Sequence, residues 1–269
     1  MANKLTNFAE LEIINHILGE TQETYTRPDH LYLALCTADP GESASGGTLD
    51  EPSAGNGYAR TLCDSWNTAA NRAIENSEVI EFSEATGNWG EITHFALLDT
   101  ITLATGHVIA YGELSQSKTI GSGDSASVVI GDLDLSFNSG GISTFLANEM
   151  LDHVFKGDAY AQPASIFVAL ATTAITDDTT GSTISEPGSN YTRRETNDWS
   201  AAANGAAENE SDIEFAQAAA AWGTVGYFAI CDHPTTGHIL FYGTLATIRE
   251  IGSGDTARFP TGALNITMD

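Results

Sequence analysis

The chain writes one pattern twice, and that repeat constrains its fold more than any other property. Residues 15–35, "NHILGETQETYTRPDHLYLAL", match residues 152–170, "DHVFKGDAYAQPASIFVAL". Further on, Glu51-Pro52 answers Glu186-Pro187, and Tyr58-Ala59-Arg60 answers Tyr191-Thr192-Arg193. Trp66 answers Trp199, each eight residues past its tyrosine. The strings AAN, WG, TGH and YG recur in the same order, at Ala69/Ala202, Trp89/Trp222, Thr105/Thr236 and Tyr111/Tyr242. Each series closes on IGSGD, at residues 120–124 and 251–255. The offset drifts only from 137 (His16 to His153) to 131 (Asp124 to Asp255). Ordered matches at a near-constant offset mark a duplicated structural unit. The expected organisation is a first unit over 1–137, a linker over 138–141 with the flexible composition NSGG, and a second unit over 142–269.

Each unit reads as one amphipathic helix followed by short strands. Leu11, Ile14, Ile17 and Leu18 recur at helical spacing and stop at Gly19; Leu151, Val154 and Phe155 stop at Gly157. An apolar strand follows ("LYLALCT", "IFVALAT"), then a long loop rich in Gly, Ser, Asp and Pro, then the YAR or YTR strand. Four more strand-like runs complete the first unit: "SEVIEFS", "EITHFALLD", "HVIAYGEL" and "SASVVIGDLDLSF". The last alternates, which predicts Val128, Ile130, Leu133 and Leu135 as inward-facing. The expected fold is mainly β: two homologous antiparallel β-sandwich-like domains, each opening with one helix that packs on its own sandwich.

Composition narrows the function. Ten Lys and Arg stand against 36 Asp and Glu, a formal net charge of -26. Such a chain repels phosphate backbones and anionic lipid, so nucleic acid is not an expected partner. No run approaches the roughly 20 apolar residues that span a bilayer, so no membrane insertion is expected. The N-terminal run carries acids within its apolar stretch and has no small-residue cleavage site, unlike a signal peptide. Cys36, Cys63 and Cys231 are odd in number and show no CxxC spacing. They predict neither a disulfide framework nor a zinc site, and fit synthesis in a reducing cytoplasm.

Chemistry would have to reside in what both units keep. The large kept residues, Trp66/Trp199, Trp89/Trp222, Phe95/Phe228 and Tyr111/Tyr242, are expected as core anchors. The kept polar residues are Arg60/Arg193, Asp99/Asp232, His107/His238, Asp124/Asp255, His16/His153 and Asn71/Asn204. Arg60, Asp99 and His107 are the candidate catalytic set, yet no Ser or Cys stands in a nucleophile context beside them. Asp99 and Asp232 precede turns and read as turn formers, and Arg60 reads as the partner of a carboxylate. No catalytic residue, cofactor or metal is therefore expected. The acidic loop at 174–183 offers Asp177 and Asp178 but lacks the ligand series of a calcium loop. IGSGD is followed by strand sequence and no lysine, so it is not a phosphate loop. Asp124 and Asp255 are expected to cap a tight turn instead.

The second unit carries strings similar to a family of tailed-bacteriophage virion proteins commonly labelled tail fibre proteins. They are "KGDAYAQPASIFVAL", "SNYTRRETNDW", "WGTVGYFAICDHPTTGHILFYGTL" and "IGSGDTARFPTGALNI". The resemblance covers nearly the whole chain, once per unit. The first unit departs by the insertion "ETQETYTRPDH" and by "TITLATGHVIAYGEL" in the corresponding slot. It implies a non-catalytic structural protein of the virion exterior, homo-oligomeric, with capsid or tail proteins as partners. Two placements follow: a capsid decoration (cement) protein, or a fibre component or short tail appendage. Shaft sequence is not present, which favours a globular part over a shaft-bearing fibre. A different class, a carbohydrate-binding module for host-surface glycan, would need Trp and Tyr exposed across a sheet face.

Overall fold

The computed structural model describes residues 3–18, 25–137, 141–203 and 205–268. The first repeat runs β1 (Asn3–Leu5), α1 (Asn7–Leu18), β2 (Tyr32–Cys36), β3 (Thr61–Leu62), β4 (Ala73–Glu75), β5 (Ile80–Glu81), β6 (Gly90–Leu98), β7 (Val108–Ile120), β8 (Ser127–Val128) and β9 (Asp134–Ser136). The second runs α2 (Thr144–Leu151), β10 (Phe167–Ala171), β11 (Arg194–Glu195), β12 (Ala206–Glu208), β13 (Ile213–Glu214), β14 (Gly223–Cys231), β15 (Ile239–Ile251), β16 (Arg258–Phe259) and β17 (Asn265–Thr267). The protein is mainly β, with two homologous antiparallel units, as the sequence predicts. One sheet has the order β1-β7-β6-β2-β3 and its counterpart β11-β10-β14-β15. Short ladders β4-β9 and β5-β8, and likewise β12-β17 and β13-β16, complete each unit.

The strand sequences explain the layers. In β2, Leu33 and Leu35 enter the main core, while Ala34 and Cys36 point to the other face with Ala96, Leu98 and Val108. That second face is built of small side chains, and Ala44 and Leu49 of the long loop pack on it. The loop approaches closely because residue 46 is glycine: a Cβ there would fall on the carbonyl oxygen of Thr105. Gly181 stands in the same position against Thr236 of the second repeat.

Two strand expectations are corrected. β7 continues beyond Leu114 to Ile120, because Gly90–Ile92 of the hairpin partner pair with Lys118–Ile120. The run after IGSGD is two short strands, not one. A turn at 129–132, closed by Asp132 N–H to Val129 O at 3.2 Å, breaks the alternation. Leu133 and Leu135 are buried and Val128 is half-buried, but Ile130 faces solvent at 58% exposure, against the inward orientation expected for it.

The helices also differ from expectation. β1 precedes α1, so the first repeat opens with a strand. α2 passes into one π-helical turn over Asp152–Lys156 and stops at Gly157, whose φ is 86°. The matching stop at Gly19 lies outside the described residues, as do Asn138, Ser139 and Gly140 of the linker. Gly141 is ordered against β15, its carbonyl accepting from Tyr242 N–H at 2.7 Å. Neither helix packs on its own unit alone. α1 touches β7 of its own repeat and β12 of the other; α2 touches β15 of its own and β4 of the other. The Phe155 ring centroid lies 5.3 Å from that of Trp66, and Leu151 and Phe155 line one small cavity with Leu5, Ala110, Leu135 and Phe137 of the first repeat. The cross-contacts are reciprocal: Ala69 N–H donates to Asp152 Oδ1 and Ala202 N–H to Asn15 Oδ1, both at 2.8 Å. This reciprocity defines an approximate two-fold axis between the repeats, and one continuous apolar core crosses it.

Candidate functional site

The candidate set Arg60, Asp99 and His107 converges on one loop, residues 99–107. Arg60 precedes β3, and its side chain is fully buried. Its Nε donates to Glu51 Oε1 at 3.0 Å and its Nη2 to Glu51 Oε2 at 2.7 Å. Its Nη1 donates to the carbonyls of Thr100, Thr102 and Thr105, each at 3.0 Å. Tyr58 donates its hydroxyl to Glu51 as well, at 2.9 Å. Every guanidinium nitrogen therefore holds the loop or its partner carboxylate. Asp99 spends one oxygen on His107 N–H and the other on His107 Nδ1, both at 2.8 Å. The imidazole is stacked on Phe8 at 4.1 Å.

The second repeat reproduces this arrangement. Arg193 meets Glu186 and the carbonyls of His233 and Thr236, and Asp232 holds His238 at 2.9 Å. His238 stacks on Phe145 at 3.7 Å. Among the described residues no hydroxyl or thiol hydrogen-bonds the ring of His107 or His238. An Asp–His pair so placed orients the imidazole. Its visible work is to pin a loop to a phenylalanine in the first turn of the helix beside it.

The remaining predicted residues are equally engaged. Asp124 Oδ2 accepts from Gly121 N–H and Asp255 Oδ2 from Gly252 N–H, both at 2.8 Å. Gly123 and Gly254, at φ 88° and 91°, supply the left-handed residue each turn requires. Trp66, Trp89, Trp199 and Trp222 are all buried. The indoles of Trp66 and Trp89 donate to Cys63 O and Asn56 O at 2.9 Å. No tryptophan is left to form a sugar platform. Native tryptophan emission is expected to be blue-shifted and resistant to acrylamide; a readily quenched fraction would contradict the burial.

Tyr111 is buried beside Ala34 and Cys36, and burial raises its phenol. Tyr242 differs: its hydroxyl donates to Asp177 at 2.8 Å, and Arg72 of the first repeat pairs with the same carboxylate. Asp177 is thus an inter-repeat ion-pair partner, and Asp178 beside it is exposed. Among the described residues no cluster of three or more His, Cys, Asp or Glu is placed to hold a metal. Asn71 adopts φ 53° at an exposed turn; Asn204 lies outside the described residues. Cys36, Cys63 and Cys231 are buried thiols pushed up to about 12 by desolvation, far from thiolate chemistry.

His16 and His153 occupy the two-fold seam, a role the sequence match alone did not disclose. Their rings stack at 5.0 Å. His16 Nδ1 accepts from Tyr25 N–H at 3.2 Å, which leaves Nε2 to donate to Tyr160 O at 3.1 Å. His153 Nε2 and the Tyr25 hydroxyl are buried without a partner. Burial lowers the His16 pKa below its ordinary 6.5, the Tyr160 carbonyl partly offsets this, and the neighbouring His153 adds to it. The unfolded chain then takes up a proton that the folded chain refuses. This contribution to stability is whole above pH 6.5 and is lost as pH falls through 6.5 towards the folded pKa. Urea midpoints measured between about pH 7.5 and 5.5 are expected to fall more steeply for wild type than for His16→Gln. Equal slopes would refute the assignment.

Among the described residues no helix is long and apolar enough to cross a membrane. A family model described as Podophage GP4 fiber I protein gp80 matches the chain in two segments, residues 4–136 and 141–267. No curated protein matches it.

Proposed function

Because the chain belongs to this family of phage fibre proteins, in two consecutive copies, we propose that it is a non-catalytic part of the virion exterior. It acts by assembly and surface contact, as a component of a tail fibre or short tail appendage. The observation that carries the non-catalytic reading is the use made of the shared polar residues. Arg60/Arg193, Asp99/Asp232 and Asp124/Asp255 are consumed in clamps and turns that hold loops in place. What remains to differ between copies is the loop and rim surface, where a contact protein carries its specificity.

The partners are other virion proteins, tail proteins first, with several copies of this chain per particle. The net charge of -26 fits a basic docking surface and disfavours nucleic acid. Synthesis in the host cytoplasm fits three buried free thiols. Host-surface glycan is the weaker partner, since all four tryptophans are inside.

Immunogold labelling of intact particles tests the placement. Label on the tail is the expected result, label on the head would make the chain a capsid decoration, and no label would overturn an exterior role. Turnover of capsule or peptidoglycan by the purified protein, lost on Asp99→Ala or His107→Ala, would overturn the non-catalytic reading.

A further inference from the structure

The duplication supplies its own control for reading surfaces: the same fold with two sets of surface residues. Leu62, Val79, Val129 and Ile130 are 51%, 47%, 51% and 58% exposed. They adjoin one another at the rim where β3, β5 and the turn before β9 meet. Asn76 Nδ2 donates to Glu78 O at 2.7 Å and to Val129 O at 3.0 Å, which brings the 78–79 and 129–130 main chains together. β3, which carries Leu62, packs beside β5. In the second repeat the four positions are Glu195, Asp212, Pro260 and Thr261. There, Thr261 N–H donates to Asp212 at 2.9 Å and Arg258 pairs with Asp212 at 2.8 Å. The same contact confirms that positions 79 and 130 are neighbours. One copy keeps this rim polar and internally neutralised, and the other keeps it aliphatic.

The charges around the aliphatic rim decide what covers it. Glu78, Glu81 and Asp132 surround it, all exposed, and among the described residues none has an ion-pair partner. Where the second repeat carries Arg194 and Arg258, the first has Thr61 and Ser127. The first rim is therefore apolar at its centre and acidic at its edge. A second copy docking rim to rim would set these acids against each other on two bodies of charge -26. We propose that this rim is the face by which the chain docks on the particle, and that its occupant is an apolar surface edged with Lys or Arg on another virion protein. This rests on the virion role proposed above. The second repeat, polar at the same place, then takes no part in this contact.

The test is made in the phage that encodes the chain. Leu62→Glu, Val79→Asp and Ile130→Thr together place three of the second repeat's four rim residues on the first. All three positions are exposed, so the thermal midpoint is expected to change little. Chain per purified particle, measured by quantitative immunoblot, is expected to fall at least about tenfold. Glu78→Gln with Asp132→Asn, which leaves the aliphatic centre intact, is expected to lower occupancy less and to make it less sensitive to salt. Full occupancy of the triple variant would overturn the docking face while leaving the virion role standing. A wild-type dimer in sedimentation that the triple variant dissociates would also overturn it, by making a second copy the occupant. Absence of the wild-type chain from particles would instead sink the virion role itself.

Discussion

Residues 141–269, expressed without the first repeat, are expected to form a dimer and not a folded monomer. α2 and the turn after it turn one stripe of residues, Thr144, Asn148, Leu151, Asp152 and Phe155, towards the first repeat. Asn148 Oδ1 accepts from Arg72 N–H at 2.9 Å and Asp152 Oδ1 from Ala69 N–H at 2.8 Å. Leu151 and Phe155 are almost wholly buried, at 2% and 1% exposure, and part of their cover is the first repeat. Burying each large side chain is worth about 1.5–3 kcal/mol. Losing that cover on both sides of the seam removes a large part of a total stability of about 5–15 kcal/mol. A second copy can restore it, because Trp199, Ala202 and Ala207 stand where Trp66, Ala69 and Ile74 receive α2. Sedimentation equilibrium should show a dimer that unfolds as it dissociates on dilution. A monomer with native circular dichroism and blue tryptophan emission would refute the dependence of α2 on cover from across the seam.

Arg60→Ala is expected to cost about 3–5 kcal/mol, the range for breaking one side of a buried ion pair. The loss strands Glu51, only 7% exposed, together with the carbonyls of Thr100, Thr102 and Thr105. Arg193→Ala is expected to cost less, because Glu186 is 24% exposed and water can reach it. Glu51→Ala should destabilise comparably to Arg60→Ala, and the double variant by clearly less than the sum, since each single change leaves the other charge unpaired. Urea denaturation of the four proteins gives the cycle. Additive losses would mean that Arg60 and Glu51 are not coupled, and that Arg60 acts through the loop carbonyls and packing instead.

The repeat was legible because turns, aromatic anchors and the YxR arginine tolerate few replacements, so both copies retain them. The Asp124 and Asp255 turn caps were legible for the same reason, since Gly-Ser-Gly-Asp admits few backbone paths. The placing of both helices across the seam was not. An amphipathic stripe such as Leu151, Val154 and Phe155 reads identically whether it covers its own sheet or its neighbour's. Ile130 misled because alternation was carried through "VVIGD", where Gly131 takes φ 78° and turns the chain. The polar stretch "SQSKT" concealed the outer half of β7, which is strand only because β6 offers a partner. His16 and His153 were visible as a match, but their stacking depends on the axis between the copies, which neither copy encodes alone.

The seam between the repeats also bears on how such a protein can change over time. In a dimer of identical chains every substitution is made twice, once on each side of the axis, so a new contact face arises in pairs or not at all. Joining the two bodies in one gene removes that doubling. Leu62 can be kept while its counterpart becomes Glu195, and Val79 while its counterpart becomes Asp212, with the shared interior untouched. Fusion also makes pairing independent of dilution, because each helix finds its site within the same molecule. A two-fold body can in this way acquire two different faces.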